Sequence, residues 1–414
     1  MVKLVYKIKI NNNMNTEKEK IVNQILNRGI IKEVIPSINE FKKKLLSEKL
    51  RIYIGADPTS TALHLSHAKN YMLLEEFRKL GHEVIVLFGD FTARIGDPSD
   101  RSNVRARLSS EEIKINIKGW LKQIEPLMDF KAKKNPPKIM YNNDWLSKLS
   151  MADIVDLASN VTVQRMLERD MFEKRIKEEK PIFLHEFMYP LMQGYDSVAM
   201  EVDIELCGTD QIFNALMGRT LLKKYKNKDK LVVAVNLMEN PITGELMSKS
   251  RGTGVFLDFN PFDMYGAIMS QPDEMIKIFL INNTRLSLEK IEEIVKMDNP
   301  RDAKMITALE IVKIFHGKDK AEEAQNRFIK LVQNKEIIID DIPEVKIKNN
   351  STLLDVLSEC LNGELSNSEI RRLIKQNAVK IDGEVKNNFQ EKINIKEKGN
   401  LLKMGKKKWF KIFS

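Results

Sequence analysis

Cysteine and histidine, which often build cross-links and metal sites, are scarce in this chain of 414 residues, with two cysteines and five histidines. The two cysteines, Cys207 and Cys360, argue against a disulfide framework and fit a reducing cytoplasm. Apolar runs are short as well: Val84–Phe88 and Leu231–Val235 span five residues each, whereas a membrane-spanning helix needs about 20. The first residues lack the apolar segment and cleavage site of a secretory signal. We therefore predict a cytoplasmic protein without a membrane partner.

Charge, by contrast, is abundant. Hydrophobic residues make up 43% of the chain and charged residues 30%, which is typical of a soluble protein with a packed core. At roughly 150 residues per domain, the length predicts two or three domains. The formal net charge of +10 is concentrated at one end, since residues 371–414 hold 13 Lys and Arg against 4 Asp and Glu. This excess predicts a polyanionic partner, most simply RNA, although a solvated basic tail would have the same composition.

The stretch at 51–67 organises the chain. A short apolar run, Ile52–Ile54, predicts a buried strand, and the turn residues that follow it end the strand. A helical pattern then places His64 and His67 on one helix face. A strand that leads into a helix N-terminus is an anion site, because free backbone N–H groups and the helix dipole point at the loop. The two imidazoles are therefore candidates to hold a nucleotide phosphate, with an ordinary pair of helix histidines as the alternative.

Alternating strand and helix patterns predict an α/β fold with a doubly wound, Rossmann-like parallel sheet up to about residue 240. Helical periodicity after Met247 predicts an all-helical region, and a small α+β unit begins at Ser351. The predicted strands are 51–55, Glu83–Phe88, Lys138–Tyr141, Val202–Leu206 and Leu231–Val235, with a hairpin over 378–385. The predicted helices lie within 15–50, at 64–80 and 109–129, as a pair within 147–179, at 210–224, 261–270, 272–283, 287–296 and 301–334, around Leu353–Leu357, and at 369–375. The predicted boundaries are 1–47 for an N-terminal extension with helices, 48–240 for the sheet domain, 241–338 for the helical domain, 339–350 for a linker and 351–414 for the last unit.

Further candidate residues lie in four stretches. Residues 88–100 and Leu206–Gln211 follow predicted strands, and the carboxyl ends of parallel strands are where such sheets bind ligands. Residues 187–197 lie on a helix, and Leu246–Ser250 lies between glycines that favour a mobile loop. Each stretch has an ordinary structural alternative. Residues 88–100 could form a tight turn, Thr209 or Asp210 could cap the following helix, residues 187–197 could be an ordinary amphipathic helix, and Leu246–Ser250 could be a solvated loop.

Together these stretches resemble class I aminoacyl-tRNA synthetases. His64–His67 is similar to the His-Ile-Gly-His signature, and Leu246–Ser250 to the Lys-Met-Ser-Lys-Ser loop. Gly55–Thr59 and the ungapped Tyr-Pro-Leu-Met-Gln-Gly-Tyr-Asp at 189–196 resemble tyrosyl-tRNA synthetases in particular. The resemblance covers about residues 20–410 and implies ATP-dependent attachment of tyrosine to tRNA(Tyr) through a tyrosyl-adenylate. Mg²⁺ would be carried by the ATP.

The resemblance also assigns roles to residues. Asp196 with Tyr53 would bind the phenol of tyrosine, Asp97 would lie near its amino group, and Lys249 would act on the leaving pyrophosphate. His64, His67 and Lys249 are thus the predicted catalytic residues. The predicted ATP-binding residues are His64, Ser66, His67, Gly208, Asp210, Ser248, Lys249 and Ser250, and the predicted tyrosine-binding residues are Tyr53, Asp57, Asp97, Tyr189, Gln193, Asp196 and Gln211.

Two residues depart from the family pattern. Ser66 stands where the first signature usually has glycine, so a side chain lies where adenine would pack. Leu246 stands where the loop usually has its first lysine, which removes one phosphate contact. Arg101, Arg105 or Arg251 are candidates to compensate. Both departures bear on rate and ATP affinity rather than on the class of reaction.

Residues 366–383 resemble the RNA-binding module first seen in ribosomal protein S four, with Arg371, Arg372 and Lys375 on one helix face as the predicted tRNA contacts. Relatives of this type are homodimers, and the resemblance implies an interface insertion within the sheet domain. Two alternatives stay open: the sister enzyme for tryptophan, and a catalytically impaired RNA-binding protein of the same fold. A zinc site at His64 and His67 is disfavoured because other histidines and cysteines are few and distant, so we predict no resident metal.

Overall fold

The computed structural model describes residues 16–97, 108–246, 254–333, 343–396, 399–405 and 408–414. The chain divides into two compact units, Met1–Gln325 and Asn326–Ser414. Among the described residues, no helix is long and apolar enough to cross a membrane.

The first unit is built on a six-stranded sheet with the order β1-β6-β5-β2-β3-β4. The pairs from β6 through to β4 are parallel, and β1 joins β6 antiparallel at the edge. From β2 the chain winds outward through β3 and β4, then returns to place β5 on the other side of β2. The strand order reverses there, and such a switch point leaves a crevice at the strands' carboxyl ends. The strands are β1 (Ile31–Ile35), β2 (Arg51–Ala56), β3 (Glu83–Phe88), β4 (Lys138–Tyr141), β5 (Ile204–Gly208) and β6 (Leu231–Val235).

Burial explains why these runs form strands. All five residues of β6 are buried, as are the last five of β3, which is the pattern of parallel strands covered on both faces. The prediction of a doubly wound α/β sheet is confirmed. The helices of the unit are α1 (16–27), α2 (Ile38–Ser47), α3 (Leu65–Lys79), α4 (Ser110–Ile124), α5 (Asn143–Leu146), α6 (Met151–Ala158), α7 (Val163–Leu167), α8 (Asp170–Lys177), α9 (Leu184–Met200), α10 (Ile212–Lys226), α11 (Pro261–Met269), α12 (Met275–Asn283), α13 (Leu288–Val295), α14 (Pro300–His316) and α15 (Lys318–Phe328, ending in the second unit).

Helices α9 and α10 pack closely because two glycines meet where they cross. A Cβ on Gly194 would lie 2.9 Å from Cδ1 of Leu221 and 3.2 Å from the backbone nitrogen of Gly218. A larger residue at 194 would force the helices apart. The close approach keeps the polar side chains of α9 beside the start of α10, at the edge of the crevice.

Three predicted elements differ from the structure. The segment 15–50, predicted as helical, contains the edge strand β1 between Gly29, whose φ of +90° ends the preceding helix, and Pro36. The stretch 147–179 holds three short helices rather than two. The predicted helix 301–334 is two helices, because Gly317 adopts a φ of +86° between α14 and α15.

The second unit has a five-stranded sheet in the order β7-β11-β10-β8-β9, covered by two helices. Its hairpin turns at Asp382-Gly383, where both residues have positive φ, as a tight two-residue turn requires. The predicted linker 339–350 is wrong in part, because Glu344–Lys346 is a strand that pairs with β11; residues 334–342 lie outside the described residues. The elements are β7 (Glu344–Lys346), α16 (Leu353–Leu361), α17 (Asn367–Lys375), β8 (Val379–Ile381), β9 (Glu384–Val385), β10 (Asn400–Met404) and β11 (Lys408–Phe413).

Candidate active site

A cavity of about 1430 Å³ opens at the switch point of the first unit's sheet. Its walls come from the carboxyl ends of β2, β3 and β5, the start of α3, and α9. The structure brings together there the predicted residues Tyr53, Asp57, His64, Ser66, His67, Asp97, Tyr189, Gln193, Asp196, Gly208, Asp210 and Gln211, all of which line the cavity.

The two histidines lie at the start of α3, as predicted. His64 is the N-cap residue, and its backbone N–H donates to Nδ1 of His67 at 3.2 Å. The two rings lie 3.9 Å apart, centre to centre. Burial, with the nearby Lys69 charge, lowers the pKa of His64 to about 4, and burial holds the pKa of His67 well below its ordinary value. Both imidazoles are therefore neutral at pH 7. Since Nδ1 of His67 accepts, its Nε2 carries the proton and is a hydrogen-bond donor.

Asp196 forms the polar end of the cavity. Its side chain is 3% exposed, and its Oδ1 accepts a 2.7 Å hydrogen bond from Nε1 of Trp145. Its Oδ2 accepts a longer bond, 3.3 Å, from Nδ2 of Asn142. Burial raises the pKa of Asp196 well above its usual range, while these two donors act in the opposite direction by stabilising the carboxylate. The two donors hold a hydrogen-bond acceptor in place at this buried end of the cavity.

Tyr53 lies beside Asp196 but bonds elsewhere. Its hydroxyl is 3.2 Å from Oγ of Ser197, and the residue is 1% exposed. Burial, together with the charges of Glu205 and Asp196, raises the pKa of Tyr53 well above 10, so the hydroxyl keeps its proton. Tyr53 and Asp196 thus line the same end of the cavity, and each is held by hydrogen bonds to other side chains.

Asp57 accepts two hydroxyl donors at the middle of the cavity wall. Tyr189 donates to its Oδ2 at 2.9 Å, and Thr92 donates to its Oδ1 at 2.7 Å. Withdrawal from solvent raises the pKa of Asp57 to about 7, against the effect of these two bonds. Gly89 makes room for the carboxylate, because a Cβ at that position would lie 1.9 Å from Oδ1.

The polar residues that follow β5 meet Asp97. Nε2 of Gln211 donates to Asp97 at 2.7 Å and to Asp210 at 3.2 Å. No side-chain cap is found at the start of the short 3₁₀ turn Thr209–Gln211 or of α10, so helix capping does not account for Asp210. The neighbouring wall of α3 carries Ser66 and, one turn further along, Lys69. Lys69 is 1% exposed; burial lowers its pKa to about 7, although the charge of Asp210 acts to raise it.

The family model for class I tRNA synthetases of the tryptophan and tyrosine type matches residues 44–333. The chain belongs to this family. Two relatives named tyrosine–tRNA ligase are similar over nearly the whole chain: that of Carboxydothermus hydrogenoformans is 41% identical, covering 94% of this chain and 97% of its own, and that of Thermotoga maritima is 40% identical, covering 96% and 98%. These relatives confirm the family predicted from the motifs.

A solved structure agrees on the fold. The C-terminally truncated mitochondrial tyrosyl-tRNA synthetase of Aspergillus nidulans has a TM-score of 0.66 to this chain at 22% identity. The match covers 78% of this chain and 99% of that one. At this identity the likeness bears on the class I synthetase fold alone.

The second signature loop of the synthetase family falls mostly outside the described residues. Leu246 lines the cavity, forms a bridge with Glu239 and is 39% exposed. Ser248, Lys249 and Ser250 follow it and lie outside the described residues, as do the three arginines proposed to compensate for Leu246, Arg101, Arg105 and Arg251. Their predicted roles therefore rest on the motif.

The predicted RNA contacts lie in the second unit. Arg371, Arg372 and Lys375 are exposed on α17, while Ile370 and Ile374 on the opposite face are buried in the unit's core. The guanidinium of Arg371 lies 5.4 Å from the ring centre of Phe389. The buried isoleucines thus anchor the helix to the unit's core, and its three cationic side chains are exposed to solvent.

Sequence reasoning missed several residues of the site. Asn142 and Trp145 follow the carboxyl end of β4, the same position that singled out the stretches after β3 and β5, so that rule applied to β4 would have found them. Lys69 lies inside the helical pattern of α3, and Lys230 comes just before β6; neither has a sequence signal of its own. Among the described residues, no group of three or more His, Cys, Asp or Glu side chains could hold a metal ion.

Proposed function

We propose that this chain joins L-tyrosine to its tRNA in two steps. The tyrosine carboxylate attacks the α-phosphorus of ATP, an O–P bond forms, and pyrophosphate leaves. A terminal hydroxyl of the tRNA then attacks the carbonyl carbon of tyrosyl-adenylate and releases AMP. The attacking carboxylate is already ionised at pH 7, so the first step needs positioning and charge stabilisation rather than a general base.

One observation carries the choice of tyrosine: the buried Asp196 carboxylate that Trp145 and Asn142 hold in place. A phenol O–H donates to such an acceptor. Phenylalanine cannot make this hydrogen bond and would leave the remaining lone pairs of the buried acceptor unsatisfied, which costs roughly 1–3 kcal/mol and so gives discrimination of about ten- to a hundredfold. Tyr53, beside it, supplies a second hydroxyl for the phenol oxygen.

The other groups of the cavity suit the rest of the substrates. Tyr189, Gln193, Gln211, and the carboxylates of Asp57 and Asp97 would hold the amino acid's ammonium and carboxylate ends. His64 and His67, as neutral donors beside a helix N-terminus, would hold ATP phosphate, and Asp210 at the far side would accept from ribose hydroxyls. Gly208 and Ser66 complete the nucleotide wall, and the loop residues Ser248, Lys249 and Ser250 would act on the pyrophosphate.

Mg²⁺ would enter on the phosphates of ATP. The carboxylates of Asp57 and Asp97 are engaged by hydroxyl and amide donors, so the donor set suits substrate groups better than a resident cation. A cation on the phosphates would neutralise charge on the departing pyrophosphate.

The remaining partners follow from two surfaces. The exposed cations of α17 in the basic C-terminal unit suit the phosphate backbone of tRNA(Tyr). In the first unit, apolar side chains are exposed along α6–α9, and such a patch suits the interface of a homodimer. The proposed setting is the cytoplasm. The most exposed apolar residues of the patch are Met151, Val155, Val163 and Leu184, at 62–80%.

Amino-acid-dependent exchange of pyrophosphate into ATP, run with all twenty amino acids, tests the proposal. Exchange with tyrosine and not with phenylalanine is the expected result. Preference for tryptophan would instead support the sister enzyme. Absence of exchange with every amino acid, together with retained tRNA binding, would leave a catalytically impaired RNA-binding protein.

A further inference from the structure

A chain of side-chain hydrogen bonds runs behind the tyrosine end of the cavity. It begins at Lys230, whose ammonium is fully buried and pairs with Glu205. Oε1 of Glu205 accepts from Nε2 of Gln193 at 3.0 Å. Oε1 of Gln193 accepts from Nδ2 of Asn214 at 2.9 Å, and the same Nδ2 donates to Oε1 of Gln211 at 2.8 Å. Gln211 then donates to Asp97.

The two carboxylates at the ends of this hydrogen-bond network determine which group donates in every bond between them. A carboxylate accepts only, so Glu205 at one end and Asp97 at the other each require the NH₂ face of the glutamine beside it. Both glutamines must therefore turn their carbonyl oxygens inward, toward Asn214. Asn214 is fully buried and satisfies both with its two N–H groups, while its own Oδ1 is buried without a partner in the described residues.

We infer that Asn214 is a positioning residue that fixes which atoms of Gln193 and Gln211 face the amino acid. Lys230 belongs to the same hydrogen-bond network. It compensates the buried charge of Glu205, so Glu205 stays ionised and accepts from Gln193. The inference rests on the proposed function, in which both glutamines contact tyrosine. Asn214 does not line the cavity itself, so its effect passes through the two amides.

The chemistry makes one substitution unusually informative. Asn214→Asp keeps the shape of the side chain but replaces both donors with acceptors. Two glutamine carbonyls would then face a carboxylate, and any rotation that relieves this would turn a carbonyl toward Glu205 or Asp97. We expect the KM for tyrosine in pyrophosphate exchange to rise tenfold or more, and by a larger factor than the KM for ATP.

Asn282→Asp is the matched control. Asn282 is 2% exposed, its Nδ2 donates to the carbonyl of Ile278 at 2.8 Å, and its Oδ1 is also buried without a partner in the described residues. The control buries the same new carboxylate on α12, away from the cavity lining. It should lower the melting temperature and leave the KM for tyrosine unchanged.

A double-mutant cycle separates positioning from general destabilisation. Asn214→Ala and Gln193→Ala are made singly and together in the full chain. This cycle also provides the test if Asn214→Asp does not fold. If Asn214 acts through Gln193, removing Asn214 raises the KM for tyrosine by a smaller factor once Gln193 is gone. The inference would be overturned if the two single substitutions raised the KM for tyrosine by factors that simply multiply in the double variant. Equal changes in the KM for tyrosine and the KM for ATP would also overturn it. Exchange by the unmodified chain is measured first: if it fails with tyrosine, the proposed function fails, whereas normal exchange with unaffected variants removes only the role of Asn214.

Discussion

The indole Nε1 of Trp145 donates a 2.7 Å hydrogen bond to Oδ1 of Asp196, across a separation of 51 residues in the chain. Trp145 lies on the short helix α5, which follows the sheet strand β4, and Asp196 lies on α9. The bond ties the rigid sheet to the helix that carries Tyr189 and Gln193. Together with the bond from Asn142 to Oδ2, it fixes the orientation of the carboxylate.

Trp145→Phe should weaken tyrosine binding while the fold is kept. The ring still packs, but Asp196 loses a hydrogen bond to its charged form, and such bonds are worth about 1.5–3 kcal/mol. We expect the KM for tyrosine to rise roughly tenfold or more, and the preference for tyrosine over phenylalanine to fall. Pyrophosphate exchange with both amino acids measures this. Trp409→Phe, in the second unit, is the control and should change neither value; an unaltered preference in Trp145→Phe would remove the bond from specificity.

Asp57→Asn should change how stability depends on pH. The pKa of Asp57 is raised from 3.8 to about 7, so the folded chain binds this proton more tightly than the unfolded chain does. The group's contribution to stability is therefore present at low pH and declines as pH rises from about 4 to 7. Because asparagine does not titrate, the melting temperature of the variant, relative to the unmodified chain, should rise by roughly 5 °C or more between pH 4 and pH 8.

Thermal unfolding of both proteins across this range measures the effect. Asp319→Asn, at an exposed position on α15, is the control, and its difference from the unmodified chain should not follow this trend. A constant difference for Asp57→Asn across the range would contradict the raised pKa.

The sequence predicts strands with a clear local apolar pattern more accurately than strands whose extended conformation depends on pairing with distant segments. The runs at 83–88, 138–141 and 231–235 are apolar and bounded by turn residues, and their predicted limits match the structure. Strand β1 was missed because Ile31, Val34 and Ile35 also fit a helical spacing, and only pairing with β6 makes them extended. Strands β7, β10 and β11 are likewise extended because they pair with one another: β11 pairs with both β10 and β7.

The candidate site shows the same division. Residues inside a contiguous motif, such as His64 or Asp196, are recognisable from the sequence. Residues that act through long-range contacts are not, because nothing local distinguishes them: Trp145 is 51 residues from Asp196, and Lys230 is 25 from Glu205.

Lys249→Ala should slow adenylate formation more than it weakens tyrosine binding. A lysine that meets only the charge developing on pyrophosphate stabilises the transition state and not the bound amino acid. The kcat for exchange should therefore fall by tenfold or more with little change in the KM for tyrosine. Steady-state exchange kinetics provide the test, and unchanged kinetics would exclude the loop from the mechanism.

Leu246→Lys, which restores the usual residue of the synthetase family, should leave the exchange rate equal or raise it. Leu246 lines the cavity and is 39% exposed, so a lysine there reaches solvent or phosphate without being buried. Ile242→Lys adds the same charge at a site that is 71% exposed and does not line the cavity, and it should have no effect on exchange. A large loss of rate in Leu246→Lys alone would mean that the loop lies differently in this chain.

The C-terminal unit should be needed for charging tRNA and dispensable for activating tyrosine. Every residue assigned to tyrosine or ATP precedes residue 251, whereas Arg371, Arg372 and Lys375 lie on α17 of the second unit. Because Glu344–Lys346 pairs with β11, the cut belongs before that strand, and removal of residues 334–414 takes the whole second sheet. The shortened chain should exchange pyrophosphate at near the full rate and transfer tyrosine poorly at low tRNA concentration.

The full chain allows a finer version of this test. Replacing Arg371, Arg372 and Lys375 together by alanine should raise the KM for tRNA and flatten its dependence on salt, since each phosphate contact that is lost reduces the salt slope by about one. The same triple change at the exposed Lys131, Lys133 and Lys134 of the first unit removes equal charge and should leave that slope intact. If both triple variants weaken tRNA binding alike, net charge rather than the face of α17 carries the affinity. If exchange collapses on truncation while both triple variants remain active, the second unit is required for the stability of the first, and the division of the reaction between the two units is wrong.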